Sequence, residues 1–216
     1  MNILVFGRGA IGSQYGWALE NAGNTVDFFV RKGRINDYGN IVNLDVYDSR
    51  IKKQVNTRWQ IAMKDTIEED SNYDLIIMSV NPEQVSSAVD TIKQFVKNST
   101  VLFLCNYGLN PKDAISGIPV EQVVFGFPGA GGGYEGNNLS GIIYKGIQIG
   151  QTQNKPSSRE RDVINLFKTA GFNVSIQKNI EEWLLNHFVL NTAMEAMVLE
   201  RGSFKAVASS KEALLE

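Results

Sequence analysis

The first residues of the chain form a pattern that constrains its fold more than any other feature. An apolar run, Ile3 to Phe6, leads into a glycine turn, and the turn opens a helical pattern that stops at Gly23. The turn has the spacing G-x-G-x-x-G, with its glycines at Gly7, Gly9 and Gly12. In a strand-turn-helix unit these glycines allow a tight turn, close approach of a pyrophosphate and close packing of helix on strand. We therefore predict a dinucleotide-binding βαβ unit.

The glycine turn is the predicted phosphate site, because phosphates of a dinucleotide rest on the N-terminus of the helix that follows. The prediction covers the whole turn: Gly7, Arg8, Gly9, Ala10, Ile11 and Gly12. The alternative is an ordinary strand-to-helix connection, which the strand before the turn and the helix after it disfavour.

Arg31 follows the second predicted strand, Thr25 to Val30, where the type of dinucleotide is decided. NAD-binding proteins place an Asp or Glu there for the ribose hydroxyls, whereas an arginine accommodates the 2′-phosphate of NADP. A guanidinium can form two parallel hydrogen bonds to a phosphate. Asp27 lies inside the strand, too early for the ribose. We predict NADP as cofactor, with a solvated loop cation as the alternative for Arg31.

Composition excludes several classes of protein. The 216 residues carry a formal net charge of −2, which gives no overall field for nucleic acid or an anionic membrane. No apolar run approaches a membrane span, and the N-terminus lacks the pattern of a signal peptide. The single cysteine, Cys105, lies in an apolar run and excludes a disulfide framework or a cysteine metal site. We expect a cytoplasmic protein with no metal.

The remaining patterns predict an α/β fold. Alternation from Ile41 to Trp59 predicts an antiparallel hairpin inserted into the domain. Continuous apolar strands then return, which predicts a Rossmann-type doubly wound parallel sheet: Tyr73 to Val80, Thr100 to Leu104 and Gln122 to Phe127. A glycine-dense loop, Gly126 to Gly133, either lies close to a ligand or is mobile. A further hairpin is predicted from Gly141 to Gly150.

The last predicted helix, Ile180 to about Leu199, has apolar residues almost all round its axis. Such a helix is covered by other protein, and the residues after it are too few to wrap it. We expect either a partner subunit, making a homodimer, or a second domain of which part is absent. The predicted domains are an NADP-binding Rossmann domain, 1–178, and the first part of an all-helical substrate and dimerisation domain, 179–216.

His187, the only histidine, and Asn191 are the candidate catalytic residues on that helix. They lie one turn apart on one face, with Trp183 one turn before them. A buried imidazole and carboxamide need hydrogen-bond partners, which a substrate or a nicotinamide could supply. The alternative is a histidine satisfied by a backbone carbonyl in the core.

Two asparagines are predicted at the carboxyl edge of the sheet, where open α/β folds bind ligands. Asn106 follows the strand that ends near Leu104, and its alternative role is that of a turn residue. Asn81 begins Asn-Pro-Glu-Gln, which also predicts a helix start capped by Asn81, with Gln84 reaching back to the cap. We assign both asparagines to the cofactor site.

With these residues the chain resembles the ketopantoate reductase family over essentially its whole length. The resemblance rests on Asn2 to Gly12, on Arg31, on Asn106-x-Gly108 and on the long helix near Trp183. It implies an NADPH-dependent Rossmann domain followed by a helical domain, and reduction of 2-ketopantoate to pantoate, a step towards pantothenate and coenzyme A.

The resemblance also implies site residues, and this chain departs from several of them. When the first substrate-binding asparagine of the family is aligned with Asn191, the general-acid lysine falls on His187 and the second asparagine on Glu195. An alignment anchored on Trp183 places Leu185 at that lysine instead. A second family lysine falls on Asn81. A serine and a glutamate that bind substrate would lie beyond residue 216.

The function expected from the sequence is hydride transfer from NADPH to the carbonyl of a small 2-keto acid. His187 would donate the proton, while Asn191 and Asn106 would orient the carbonyl compound and the ribose. Two alternatives stay open: a dehydrogenase for another hydroxy acid or sugar acid, and an NADP(H)-binding sensor or assembly module without turnover.

Overall fold

The computed structural model describes residues 1–68, 71–105, 115–150 and 156–209. The strands are β1 (Asn2–Phe6), β2 (Thr25–Phe29), β3 (Ile41–Asp48), β4 (Lys53–Gln60), β5 (Ala62–Lys64), β6 (Leu75–Met78), β7 (Thr100–Leu104), β8 (Val123–Phe127), β9 (Ala130–Glu135), β10 (Asn138–Ile143), β11 (Gly146–Gly150) and β12 (Asn173–Gln177). The helices are α1 (Ala10–Glu20), α2 (Ile35–Tyr38), α3 (Val85–Ile92), α4 (Ser158–Thr169), α5 (Ile180–Arg201) and α6 (Phe204–Ser209).

The main sheet has eight strands in the order β12-β11-β8-β7-β6-β1-β2-β5. All neighbours are parallel except β11, which runs antiparallel to β8. Phe6, at the end of β1, pairs with Phe29 on one side and Met78 on the other. The chain therefore crosses from one side of β1 to the other, and this reversal is where open α/β sheets bind ligands. The predicted doubly wound fold is confirmed.

Alternating side chains of the central strands fill two cores, one on each face of the main sheet. On β1, Ile3 and Val5 join the core on one face and Leu4 joins the core on the other. Helices α1 and α4 cover the first face, through Tyr15 and Phe167 among others. The second face is covered by α3 and the beginning of α5, through Val85, Ala88, Val89, Ile92, Ile180 and Leu184.

A second sheet, in the order β4-β3-β10-β9, covers the outer side of α1. Its hairpin, β3 with β4, is the antiparallel insertion predicted from the sequence. The amide of Gln14 on α1 donates to the carbonyl of Gly131 at 3.1 Å, and the Tyr134 hydroxyl donates to Ser13 Oγ at 2.8 Å. Helix α1 thus lies between two sheets, and its first turn is held by strand β9.

The predicted hairpin from Gly141 to Gly150 is wrong. Strand β10 pairs with β9 and β3 in the second sheet, whereas β11 pairs with β8 and β12 in the main sheet. Alternating apolar residues indicate a strand but do not say which sheet it joins. The glycine-dense loop continues into strand β9, where a Cβ at Gly132 would lie 2.3 Å from the Ser140 carbonyl oxygen.

Helix α5 confirms the long helix predicted near Trp183. Its N-cap Asn179 accepts a hydrogen bond from the Glu182 backbone at 3.2 Å, and it ends at Gly202, which has a φ of 84°. Only its first residues join a core. Several large apolar side chains further along are exposed in the described chain: Leu185, Val189, Leu190, Met194 and Leu199.

Candidate functional site

A cleft of about 640 Å³ opens at the carboxyl ends of β1, β2 and β6. It is lined by Phe6, Gly7, Arg8, Gly9, Phe29, Val30, Arg31, Lys32, Tyr38, Asp65, Ser79, Val80, Asn81, Gln84, Ser87, Ala88 and Thr91. The structure therefore brings together five of the residues predicted to bind the cofactor: Gly7, Arg8, Gly9, Arg31 and Asn81. Ala10, Ile11 and Gly12 continue from this lining into the first turn of α1. Asn106 lies outside the described residues.

The structure around each glycine of the turn is different. Gly7 has a φ of 90°, a conformation that side chains with a Cβ rarely adopt, and its N–H donates to the Phe29 carbonyl at 2.8 Å. A Cβ added at Gly9 would meet no described atom within 4 Å, so the backbone there faces open space. A Cβ added at Gly12 would lie 2.7 Å from Ser79 Oγ and 2.8 Å from Val5 Cγ1. The backbone of Gly7 and the packing at Gly12 thus favour glycine, and Gly9 leaves space beside the first turn of the helix.

The N-terminus of α1 is open to an anion. Its N-cap is Gly9, which has no side chain to cap the helix, and its first turn carries no acidic residue. The first backbone N–H groups of a helix have no partner within the helix, and the helix dipole makes this end positive. Together with the open space at Gly9, this arrangement fits the pyrophosphate of a dinucleotide.

Arg31 lies two residues after the end of β2 and is exposed at the cleft, with Lys32 beside it. Asp27 serves a different purpose, as expected from its position inside the strand. Its Oδ2 forms an ion pair with Lys64 Nζ at 2.8 Å and accepts a hydrogen bond from the Tyr73 hydroxyl at 2.8 Å. The hydrogen bond to Asp27 raises the pKa of Lys64 above its usual range. Asp27 is thus engaged at the edge of the sheet and does not line the cleft.

Arg8 takes a path that the sequence did not reveal. Its side chain is 9% exposed and runs from the turn to the second sheet. Nη2 lies 3.2 Å from Asn137 Oδ1 and 3.4 Å from the Ile41 carbonyl oxygen. Its Cζ lies 4.6 Å from the Tyr134 ring centroid and 5.4 Å from that of Tyr38. Arg8 therefore connects the glycine turn with the second sheet.

Asn81 lines the cleft but does not cap the helix in the way predicted. Pro82 is the first residue of a 3₁₀ turn, Pro82–Gln84, as its sequence position suggested. The Asn81 side chain accepts no hydrogen bond from this turn among the described residues, and the backbone N–H of Gln84 donates to the Asn81 carbonyl at 2.9 Å instead. The tighter 3₁₀ geometry replaces the predicted capping box. The exposed Asn81 carboxamide remains available to a ligand.

His187 lies at the carboxyl end of β8, against the last residue of that strand. Its ring centroid is 4.1 Å from that of Phe127 and 4.7 Å from that of Trp183, with the Trp183 ring nearly parallel at 12°. Partial burial lowers the pKa of His187. Asn191, one turn further along α5, is half-buried. Neither residue lines the cleft formed by the described chain, because β6 and β7 lie between β1 and β8.

Several residues that line the cleft are not predicted from the sequence. Ser79 and Val80 follow the buried strand β6 directly, so the position that singled out Asn81 could have included them. Tyr38 lies on the four-residue helix α2, and no local sequence pattern distinguishes it. Its place beside the cleft follows from tertiary packing alone.

The fold and the cleft define a Rossmann-type dinucleotide-binding protein. Its features are a mostly parallel sheet, a glycine turn where the strand order reverses, an open helix N-terminus and a basic residue after β2. Residues 3–153 match the model of a family described as ketopantoate reductase PanE/ApbA. The chain belongs to that family.

The chain is similar in sequence to one curated protein and in fold to solved structures. The 2-dehydropantoate 2-reductase of Pyrococcus abyssi (strain GE5 / Orsay) is 27% identical over 208 residues, which cover 90% of this chain and 62% of the relative. The chain thus spans less than two thirds of the length of that curated relative. The structure of 2-dehydropantoate 2-reductase from Geobacter metallireducens GS-15 is 19% identical with a TM-score of 0.78, over 99% of this chain and 70% of that one. A ternary structure of D-mandelate dehydrogenase with NADH and anilino(oxo)acetate is 21% identical, also with a TM-score of 0.78, over 99% of this chain and 69% of that one.

Two features are absent from the described residues. No described helix combines the length and the apolar character needed to cross a membrane. Within the same residues, no group of three or more His, Cys, Asp or Glu side chains could hold a metal ion.

Proposed function

We propose that this chain forms the nucleotide-binding part of an NADPH-dependent reductase for a small 2-keto acid. Residues 1–178 would form the NADP-binding domain and residues 179–216 the first part of a helical substrate domain. The observation that carries the proposal is the cleft in which the glycine turn and Arg31 meet while Asp27 is engaged elsewhere. Membership of the ketopantoate reductase family supports it and makes 2-ketopantoate the first substrate to test.

The residues of the cleft would hold the cofactor by its phosphates. The N-terminus of α1 would bind the pyrophosphate through backbone N–H groups, and Arg31 would pair with the 2′-phosphate. Asn81, exposed at the cleft, and Asn106 would bind ribose hydroxyls. When bound, NADPH supplies the hydride that reduces the carbonyl carbon.

His187 is the proposed proton donor and Asn191 the proposed substrate-orienting residue. A protonated imidazole can give its proton to the alkoxide oxygen that develops as the carbonyl is reduced. Because burial lowers the pKa of His187, most of the imidazole is neutral at pH 7. Reduction should therefore accelerate as the pH falls towards the pKa of His187. The neutral imidazole is instead suited to accept the proton during oxidation of a hydroxy acid.

A second candidate is a dehydrogenase for a different 2-hydroxy acid. The similarity in fold to D-mandelate dehydrogenase favours it. The chemistry is the same with another side chain on the substrate, so the two candidates differ in substrate and not in the assigned residues.

A third candidate is an NADP(H)-binding sensor without turnover. It is favoured by His187 and Asn81, which stand where the family resemblance places two lysines. A chain of this kind would bind the cofactor as tightly as the reductase but would not oxidise it.

Titration of the chain with NADPH, followed by addition of 2-keto acids, tests these candidates. We expect NADPH to bind more tightly than NADH and its fluorescence to fall with time once 2-ketopantoate is added. Turnover of an aromatic 2-keto acid but not of 2-ketopantoate would favour the second candidate. Binding without oxidation across the panel would overturn the reductase, and no binding of NADPH would overturn all three.

Association with a second copy is proposed for α5. Its exposed apolar side chains, Leu185, Val189, Leu190, Met194 and Leu199, lie on more than one side of the helix, and water solvates them poorly. A homodimer that covers the side with Leu190 and Met194 would also enclose the neighbouring His187.

A further inference from the structure

The guanidinium of Arg8 is a buried cation for which the described residues provide no carboxylate. Its two acceptors, Asn137 Oδ1 and the Ile41 carbonyl, are neutral and lie at 3.2 and 3.4 Å from the same nitrogen, Nη2. Nε is buried with no hydrogen-bond partner among the described residues. A buried charge is costly unless it is paired, so this arginine lacks an anion.

The position of Arg8 identifies which part of a dinucleotide would supply that anion. The residue belongs to the glycine turn, but its guanidinium extends to Tyr38 on α2 and to Ile41 at the start of β3. Both elements follow the segment that begins with Arg31 at the end of β2. In this fold the end of the second strand receives the adenosine ribose, whereas the pyrophosphate lies at the N-terminus of the first helix. Arg8 therefore points to the adenosine end of the cleft.

We propose that Arg8 and Arg31 together hold the 2′-phosphate of the cofactor, and that Arg8 determines specificity for NADP(H) over NAD(H). This inference rests on the proposed NADPH-dependent function. Arg31 is exposed and would bind the phosphate weakly by itself, because water screens the interaction. The Arg8 side chain is shielded from water, so its charge acts in a less polar environment.

The second sheet would position this arginine. Tyr134 packs against the guanidinium, and its hydroxyl is held by Ser13 on α1 at 2.8 Å. Asn137 holds Nη2 from the turn between β9 and β10. The second sheet thus limits the movement of Arg8, which reduces the entropy lost when a phosphate binds.

The variant Arg8→Gln tests the inference by calorimetric titration with four ligands: NADPH, adenosine 2′,5′-bisphosphate, NADH and ADP. The first two carry a 2′-phosphate and the last two do not. We expect Kd for the first two to rise roughly tenfold or more, as for loss of a hydrogen bond to a charged group, and Kd for NADH and ADP to change by less than about twofold.

Arg34→Gln is the matched control. Arg34 lies at the same 5.4 Å from the Tyr38 ring, but it pairs with Asp37 at 2.7 Å and does not line the cleft. This variant should keep the ratio of NADPH to NADH affinity. Thermal unfolding of each variant shows whether it is folded. If Arg8→Gln is not folded, Arg8→Lys replaces it as the test. Lysine keeps the charge but loses the planar fork, so the affinity for the bisphosphate should fall several-fold.

Several results would overturn the inference. Equal losses of affinity for NADPH and NADH would place Arg8 at the pyrophosphate. An unchanged affinity for the bisphosphate in a folded Arg8 variant would show that the role of Arg8 is purely structural. A wild-type chain that does not bind NADPH would overturn the proposed function as well. If the wild-type chain prefers NADPH and the Arg8 variants keep the same preference, only this inference is overturned and the proposed function stands.

Discussion

The imidazole of His187 stacks on the indole of Trp183, with ring centroids 4.7 Å apart and planes inclined by 12°. The two residues lie one turn apart on α5, and Phe127 at the end of β8 contacts the imidazole from another side. This aromatic environment keeps water from the ring and lowers the pKa of His187. Replacing Trp183 with Ala should therefore raise this pKa towards 6.5, the usual value for histidine. The single histidine makes a direct measurement by NMR titration simple, and a pKa that stays the same or falls in Trp183→Ala would contradict this assignment.

The same pKa shift has a consequence for stability. Because the folded chain holds His187 with a lowered pKa, the unfolded chain binds more protons between that pKa and 6.5. The contribution of His187 to the free energy of unfolding should then rise with pH across this window. Urea unfolding of the wild type and of His187→Gln at several pH values isolates the contribution of His187, since the variant should lack this part of the pH dependence. A wild-type chain that loses stability relative to the variant as the pH rises through the window would refute the shift.

His187→Ala should lower kcat for reduction by about 100-fold to 10,000-fold, the usual contribution of a general acid, without changing Kd for NADPH. In the wild type, kcat should fall as the pH rises above the pKa of His187. Asn186→Ala is the control, since Asn186 is the preceding residue on α5 and is exposed. Unchanged turnover in His187→Ala with the true substrate would exclude the assigned role.

Glycine substitutions should separate folding from cofactor binding. Gly12→Ala places a Cβ within 2.8 Å of Val5 and Ser79, so we expect it to destabilise the fold by about 1–3 kcal/mol, as overpacking does. Gly9→Ala places its Cβ in open space, so it should leave the melting temperature nearly unchanged while weakening NADPH and NADH alike. Thermal unfolding and cofactor titration on both variants measure this. The opposite pattern would show that the roles of the two glycines are exchanged.

The exposed apolar side chains of α5 predict self-association. Size-exclusion chromatography with light scattering should show a dimer, and Leu190→Asp, at a side chain that is 64% exposed, should convert it to a monomer. Lys178→Glu changes an exposed charge just before the helix and serves as the control. A wild-type chain that is monomeric throughout the accessible concentration range would contradict the proposed dimer.

The sequence predicts which strands and helices form better than it predicts which strands pair with each other. The βαβ unit, the inserted hairpin and α5 follow from local periodicity and from glycine spacing, which are properties of neighbouring residues. The division of residues 138–150 between two sheets depends on tertiary pairing with β3 and β8, which alternation cannot show. The same limit applies to the site. Gly7, Gly9, Arg31 and Asn81 are predictable because strand ends meet at one edge, whereas the path of Arg8 depends on a sheet formed by residues that are distant in the sequence.

The central claim is that the cleft binds NADPH in preference to NADH through the cations at its adenosine end. Titration of the wild-type chain and of Arg31→Gln with both cofactors tests it most directly, with Arg58→Gln, an exposed change on β4, as control. The wild type should bind NADPH at least about tenfold more tightly than NADH, and Arg31→Gln should reduce this difference by weakening the binding of NADPH alone. Equal affinity of the wild type for the two cofactors, or an unchanged ratio in Arg31→Gln, would contradict the account.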